Sequence, residues 1–188
     1  MEVLSSVDSL GIVVRGYNED VLAELLRQLK PDKIFITELA ETEYNALSDS
    51  SFYRSVGEMT GALVLPAGVN RTPFEKFRED YIETNLNSPE LTIKKNMLDL
   101  INDTISNYLA QYWKGPDTIN SEVTDSLFRA KHKLFSSVFY DLENGSWDSR
   151  HNAVLEEIKK NAPTEKSVII SAVESRYWFK DHLNLIRD

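Results

Sequence analysis

Short unbroken apolar runs recur along the chain at Ile12-Val13-Val14, Ile34-Phe35-Ile36, Ala62-Leu63-Val64-Leu65 and Val168-Ile169-Ile170. Apolar runs of this length, with no polar alternation, predict strands covered on both faces, as in a parallel sheet. Between them the period turns helical. After Asn18-Glu19-Asp20, the residues Val21, Leu22, Leu25, Leu26 and Leu29 share one face, and Pro31 ends the segment. Asn is a good cap, and acids in the first turn suit the helix dipole. Residues 40–51 read as a loop or short helix, and 52–61 as a helix. Pro66 stops the third run.

The second half is mostly helical. Thr72-Pro73-Phe74-Glu75 combines a capping threonine, proline at the first helical position and glutamate at the third. From 89 to 140 two apolar stripes, broken at Gly115-Pro116, predict two long antiparallel helices. Asn144-Gly145 is expected to be the turn that leaves them. A helix over 147–161 precedes the fourth run, and a closing helix is expected over 176–187. Alternation of strand and helix predicts an α/β fold. The expectation is one domain over 1–188: a mostly parallel sheet of at least four strands, helices on both sides, and a helical insertion over about 72–140.

Charge and composition then narrow the partners. The net charge is -9 and the pI about 4.9, with no dense Lys/Arg run, which argues against nucleic acid. There is no cysteine, so disulfides, thiolate zinc sites and cysteine nucleophiles are excluded. No apolar run approaches the roughly 18 residues of a membrane span. The residues Met1-Glu2-Val3-Leu4-Ser5 carry no basic, apolar leader pattern. The expectation is a soluble, cytoplasmic protein.

No phosphate-cradling glycine motif, GxSxG elbow or HExxH pair is present. His132, His151 and His182 lack ligand spacing and read as surface helix residues. Ligands of parallel sheets bind beyond the carboxyl ends of the strands. That address selects Arg15 and Asn18 after the first run, Glu38 after the second, and Glu174 after the fourth. Arg150, early in the preceding helix, completes the set. Two carboxylates and an arginine could bind a cation, or one carboxylate could act as general base. Plainer roles compete: Asn18 as a helix cap, Glu174 in solvent, Arg150 paired to Glu38.

Residues 13–47 resemble the opening of the TraB/PrgY and ChaN-like group, which includes the TIKI-type proteases. That opening is a strand, a Gly-x-x-His turn, a helix and an apolar strand between Pro-Asp and Glu-Leu. Here it reads Pro31-Asp32-Lys33-Ile34-Phe35-Ile36-Thr37-Glu38-Leu39, followed by Tyr44 and Leu47. Ser149-Arg150-His151-Asn152, Ile158 and the run Val168-Ile169-Ile170-Ser171-Ala172-Val173-Glu174 resemble the group's closing part. The likeness covers about half the chain, at its two ends. The group's two motif histidines, its candidates for metal or haem contact, fall on Asn18 and Glu174. Its motif glycines fall on Arg15 and Ser171. Glu38 and Arg150 stand where the group keeps a glutamate and an arginine.

The resemblance implies a scaffold that kept its fold and lost its ancestral chemistry, or one that recruited Glu174 for an oxygen-ligand metal. The first reading is therefore a non-catalytic ligand-binding or regulatory domain. It has no cofactor (no zinc, iron or haem), and its partner is a small molecule or a protein. The alternative is a hydrolase, metal-assisted or not, using Glu38 and Glu174 with Arg150 as anion anchor. A third reading is a homo-oligomer that buries Tyr177-Trp178-Phe179.

Overall fold

The computed structural model describes residues 1–7, 14–85 and 88–183. Its sheet is parallel throughout, with strand order β1-β4-β2-β3. The strands are β1 (Glu2–Ser5), β2 (Lys33–Ile36), β3 (Leu63–Pro66) and β4 (Val168–Ser171). Three of them lie where the apolar runs predict. The first does not. The edge strand beside β4 is Glu2–Ser5, with Val3 and Leu4 buried. Residues 12 and 13 lie outside the described residues, and Val14 sits in a turn instead of a strand. The Val14 carbonyl accepts from Tyr17 N at 3.1 Å, and Gly16 takes the positive φ (76°) that closes the turn.

Helix α1 (Glu19–Leu29) starts on Asn18, whose side chain accepts from Val21 N. It buries Leu22, Ala23 and Leu26. After β2 come α2 (Glu41–Asn45) and α3 (Phe52–Thr60). Helix α3 packs on α1 and β3. The helical insertion follows β3: α4 (Thr72–Asn85), α5 (Pro89–Tyr112), α6 (Pro116–Ile119), α7 (Glu122–Val138) and α8 (Tyr140–Leu142). Proline opens α5 and α6 at the position where its missing N–H costs nothing. Helix α9 (Ser149–Lys160) leads to β4, and α10 (Val173–Asp181) closes the described chain against β1 and α7. The closing helix thus begins three residues earlier than expected. Residues 184–187 of its expected span lie outside the described residues.

Every position of β4 and all but the first of β2 are buried, so both faces of the sheet are covered. Two further expectations are corrected. Asn144 and Gly145 form no exit turn, because they lie in a π-helical turn (Glu143–Asp148) that runs into α9. Gly145 lets α4 lie close, since a Cβ there would meet the Phe77 ring at 2.3 Å and displace it. Tyr177, Trp178 and Phe179 are 4%, 7% and 1% exposed. They belong to this chain's own core and offer no face to a second copy. Among the described residues no helix is long and apolar enough to cross a membrane.

Candidate functional site

The chain leaves β2 toward α3 and β3, and leaves β4 into α10, which packs on β1. β2 and β4 are neighbours, so their exits diverge at the carboxyl edge. Such a switch point opens a crevice. A cavity of about 120 Å³ lies there. It is lined by Thr37 and Glu38 beyond β2, Arg71 beyond β3, Glu174 and Ser175 beyond β4, and Arg150 and His151 of α9. Thr37 ties the two exits together, its N–H and hydroxyl both donating to Ile170 O, at 3.0 and 3.2 Å. A groove of about 620 Å³ between α4, α5, α7 and the π-turn shares Arg71, Arg150 and Glu174 with the cavity.

Glu38, Arg150 and Glu174 are thus brought together, although Arg150 and Glu38 form no direct ion pair. Arg15 and Asn18 line neither space. Arg15 is exposed and bridges Lys114, its carbonyl accepting from Gly115 N at 2.8 Å. Asn18 is occupied as the cap of α1. The neighbouring Tyr17 reaches the edge instead, its hydroxyl donating to Ser5 O at 2.5 Å.

Two guanidinium groups dominate the electrostatics. Arg71 donates to the backbone carbonyl of Glu38 at 2.5 Å. Arg150 is half-buried and, among the described residues, makes no hydrogen bond and no ion pair. Burial, and then the like charge of Arg71, lower its pKa, while Glu174 and Glu38 oppose that shift. The acids are largely engaged elsewhere. Lys131 stands 3.7 Å from the Glu174 carboxylate. Burial pushes the Glu38 carboxyl above the usual carboxylate range, against a hydrogen bond from Ser6 and the charge of Arg71. The crevice is thus lined by two arginines and two glutamates, and among the described residues neither arginine forms an ion pair, whereas Glu174 already stands beside Lys131.

The histidine expectation fails at His151, which is 2% exposed. Its Nδ1 lies 2.7 Å from Trp147 O and its Nε2 lies 2.7 Å from Ser175 Oγ. A carbonyl only accepts, so Nδ1 carries the proton and Ser175 donates to Nε2. This resembles an activated serine. Burial, helped by the charge of Arg150, lowers the imidazole pKa to about 3, and so weak a base is a poor proton acceptor at neutral pH. The pair reads as a clamp between α9 and α10. His132 is half-buried too, with Tyr177 Oη at 2.5 Å on Nδ1 and Glu143 at 3.4 Å from Nε2. Among the described residues no group of three His, Asp or Glu side chains is placed to hold a metal ion.

Sequence reasoning missed Arg71, His151 and Ser175. One signal for Arg71 was available in Ala67-Gly68, just after the strand-ending Pro66. A Cβ at Gly68 would meet Leu39 C at 2.5 Å and its carbonyl oxygen at 2.6 Å, backbone atoms that cannot swing aside. Gly68 thus lets the loop carrying Arg71 lie against the exit of β2. Gly68→Ala is expected to cost about 1–3 kcal/mol, read as a lower thermal midpoint. An unchanged midpoint would show that the two loops are not held together. Comparison with known proteins finds no matching family, no matching curated protein and no matching solved structure.

Proposed function

We propose that this chain is a ligand-binding domain that seats a small anion, a carboxylate or a phosphate, between Arg71 and Arg150. One observation carries the reading: a half-buried arginine without an ion pair, beside a second guanidinium, on the wall of a crevice at the switch point. A cation withdrawn from water without a partner is costly. An anion between the two would remove that cost, and the guanidinium fork suits planar or tetrahedral oxyanions. In this reading the chain is a degenerate relative of the TraB/PrgY and ChaN-like group and performs no reaction. Support comes from Glu38 and Arg150 sharing one cavity, and from Asn18 serving as a cap where the motif has histidine.

Calorimetric titration with inorganic phosphate and acetate at low ionic strength tests it. Saturable binding is expected, with each of Arg150→Ala and Arg71→Ala weakening it by about tenfold or more, since a charged hydrogen bond contributes roughly 1.5–3 kcal/mol. Equal affinity in wild type and both variants would reject the site. The rival reading, a hydrolase with Glu38 as general base, is favoured by the raised Glu38 pKa. It requires ester or phosphoester turnover that Glu38→Gln abolishes.

A further inference from the structure

We infer that the ligand is a single-chain amphiphile, its anionic head between Arg71 and Arg150 and its apolar tail in the groove beneath α4. The inference rests on the anion-binding reading above. The groove, about 620 Å³, falls in the size range of small-molecule sites, roughly 300–1,000 Å³. It does not stop at the arginines. Arg71, Arg150 and Glu174 line both spaces, so a head seated there leaves its tail pointing down the groove.

The walls suit a tail. Phe74, Tyr81 and Ile82 of α4 face Leu91 of α5 and Phe135 of α7 across the groove. The three α4 residues fall on one helical face (i, i+7, i+8). Yet α4 buries no residue of its own, and a helix gains most of its stability by burying an apolar face. A tail in the groove supplies the missing surface. The head is set by charge. Arg78, Lys95 and Lys131 line the groove together with the acids Glu75, Asp99 and Glu143, so its charges nearly balance away from the arginine end, and Lys131 is held over the Phe128 and Phe135 rings. A cationic head would meet Arg71 and Arg150, neither of them ion-paired among the described residues, unfavourably. A partner helix from another protein fits worse, because the groove leads into a crevice of only about 120 Å³, room for a head group.

Methyl, butyl and octyl phosphate, each below its micelle concentration, are titrated into the full chain by calorimetry. Full burial of a methylene is worth about fourfold in affinity, and a half-open groove about twofold, so octyl should bind roughly a hundredfold more tightly than methyl. Ile82→Glu, at a position 38% exposed, should cut that gain to under about tenfold. Octyl phosphate binding no tighter than methyl, while methyl binding still depends on Arg150, would overturn the tail and leave the anion site standing. A chain-length gain that survives Arg71→Ala with Arg150→Ala would place the tail elsewhere and overturn the inference. Binding seen only with micelles or anionic phospholipid vesicles would overturn it in favour of a membrane surface. Methyl phosphate binding indifferent to either arginine would instead reject the anion site itself.

Discussion

Arg176→Ala should lower the thermal midpoint by about 10 °C, equivalent to roughly 3–5 kcal/mol in a chain of this size. Arg176 lies under β1 and joins three elements. Its Nη1 is 2.6 Å from Asp125 Oδ2 of α7, and its Nε donates to Val3 O of β1 at 2.8 Å. Lys180 also donates to Asp125 Oδ2, at 2.8 Å. Asp125 is 0% exposed and its Oδ1 has no hydrogen-bond partner. Removing the arginine leaves a buried carboxylate facing one half-exposed lysine. Asp125→Ala should cost a similar amount by stranding the guanidinium. The double variant Asp125→Leu with Arg176→Met should recover most of the loss, because an apolar pair avoids both desolvation costs. A double-mutant cycle on thermal midpoints checks this. Single variants as stable as wild type would remove the pair from any structural role.

Acid should unfold the protein through His151. The unfolded imidazole binds a proton as pH falls below about 6.5, whereas the folded one resists until about 3. Within that window the unfolded state holds one more proton. Stability contributed by the neutral imidazole is complete above pH 6.5 and is lost as pH falls, at about 1.4 kcal/mol per unit. Glu38 and Asp148 work in the opposite sense, since burial raises both pKa values. Protonating them on acidification favours the folded form. The informative quantity is therefore a difference. Midpoints measured from pH 7 to pH 4 should fall more steeply for wild type than for His151→Asn. Parallel curves would mean that His151 is already charged in the folded protein.

The sheet was largely legible because β2 and β4 are buried on both faces, which demands continuous apolar runs. β1 was not legible. It is an edge strand of four residues, Glu2–Ser5, with only Val3 and Leu4 to mark it, and the longer apolar run at 12–14 outcompeted it. The π-turn was hidden because Asn-Gly is a strong turn signal, whereas the glycine lies against the Phe77 ring of a helix distant in sequence. Glu38 and Glu174 could be selected because strand ends announce themselves by a change of polarity, and Arg150 because it stands at the start of the helix that leads into the fourth strand. Arg71 sits in a loop whose place depends on a backbone approach between Gly68 and Leu39. His151 and Ser175 meet across two helices, and no spacing rule brings them together. Asn18 looked like a site residue and a cap equally, and local hydrogen bonding decided for the cap.

The strand order also governs how the chain reaches this state. β2 and β3 are close in sequence and can pair early. β4 comes late and must enter between β2 and β1. Until it arrives β1 has no neighbour at all, and one edge of the apolar β2 stays open. Such long-range closure slows folding, and an open apolar edge invites pairing with another chain in the interval. Refolding from denaturant should therefore lose yield as protein concentration rises, even though the native sheet offers β2 no free edge.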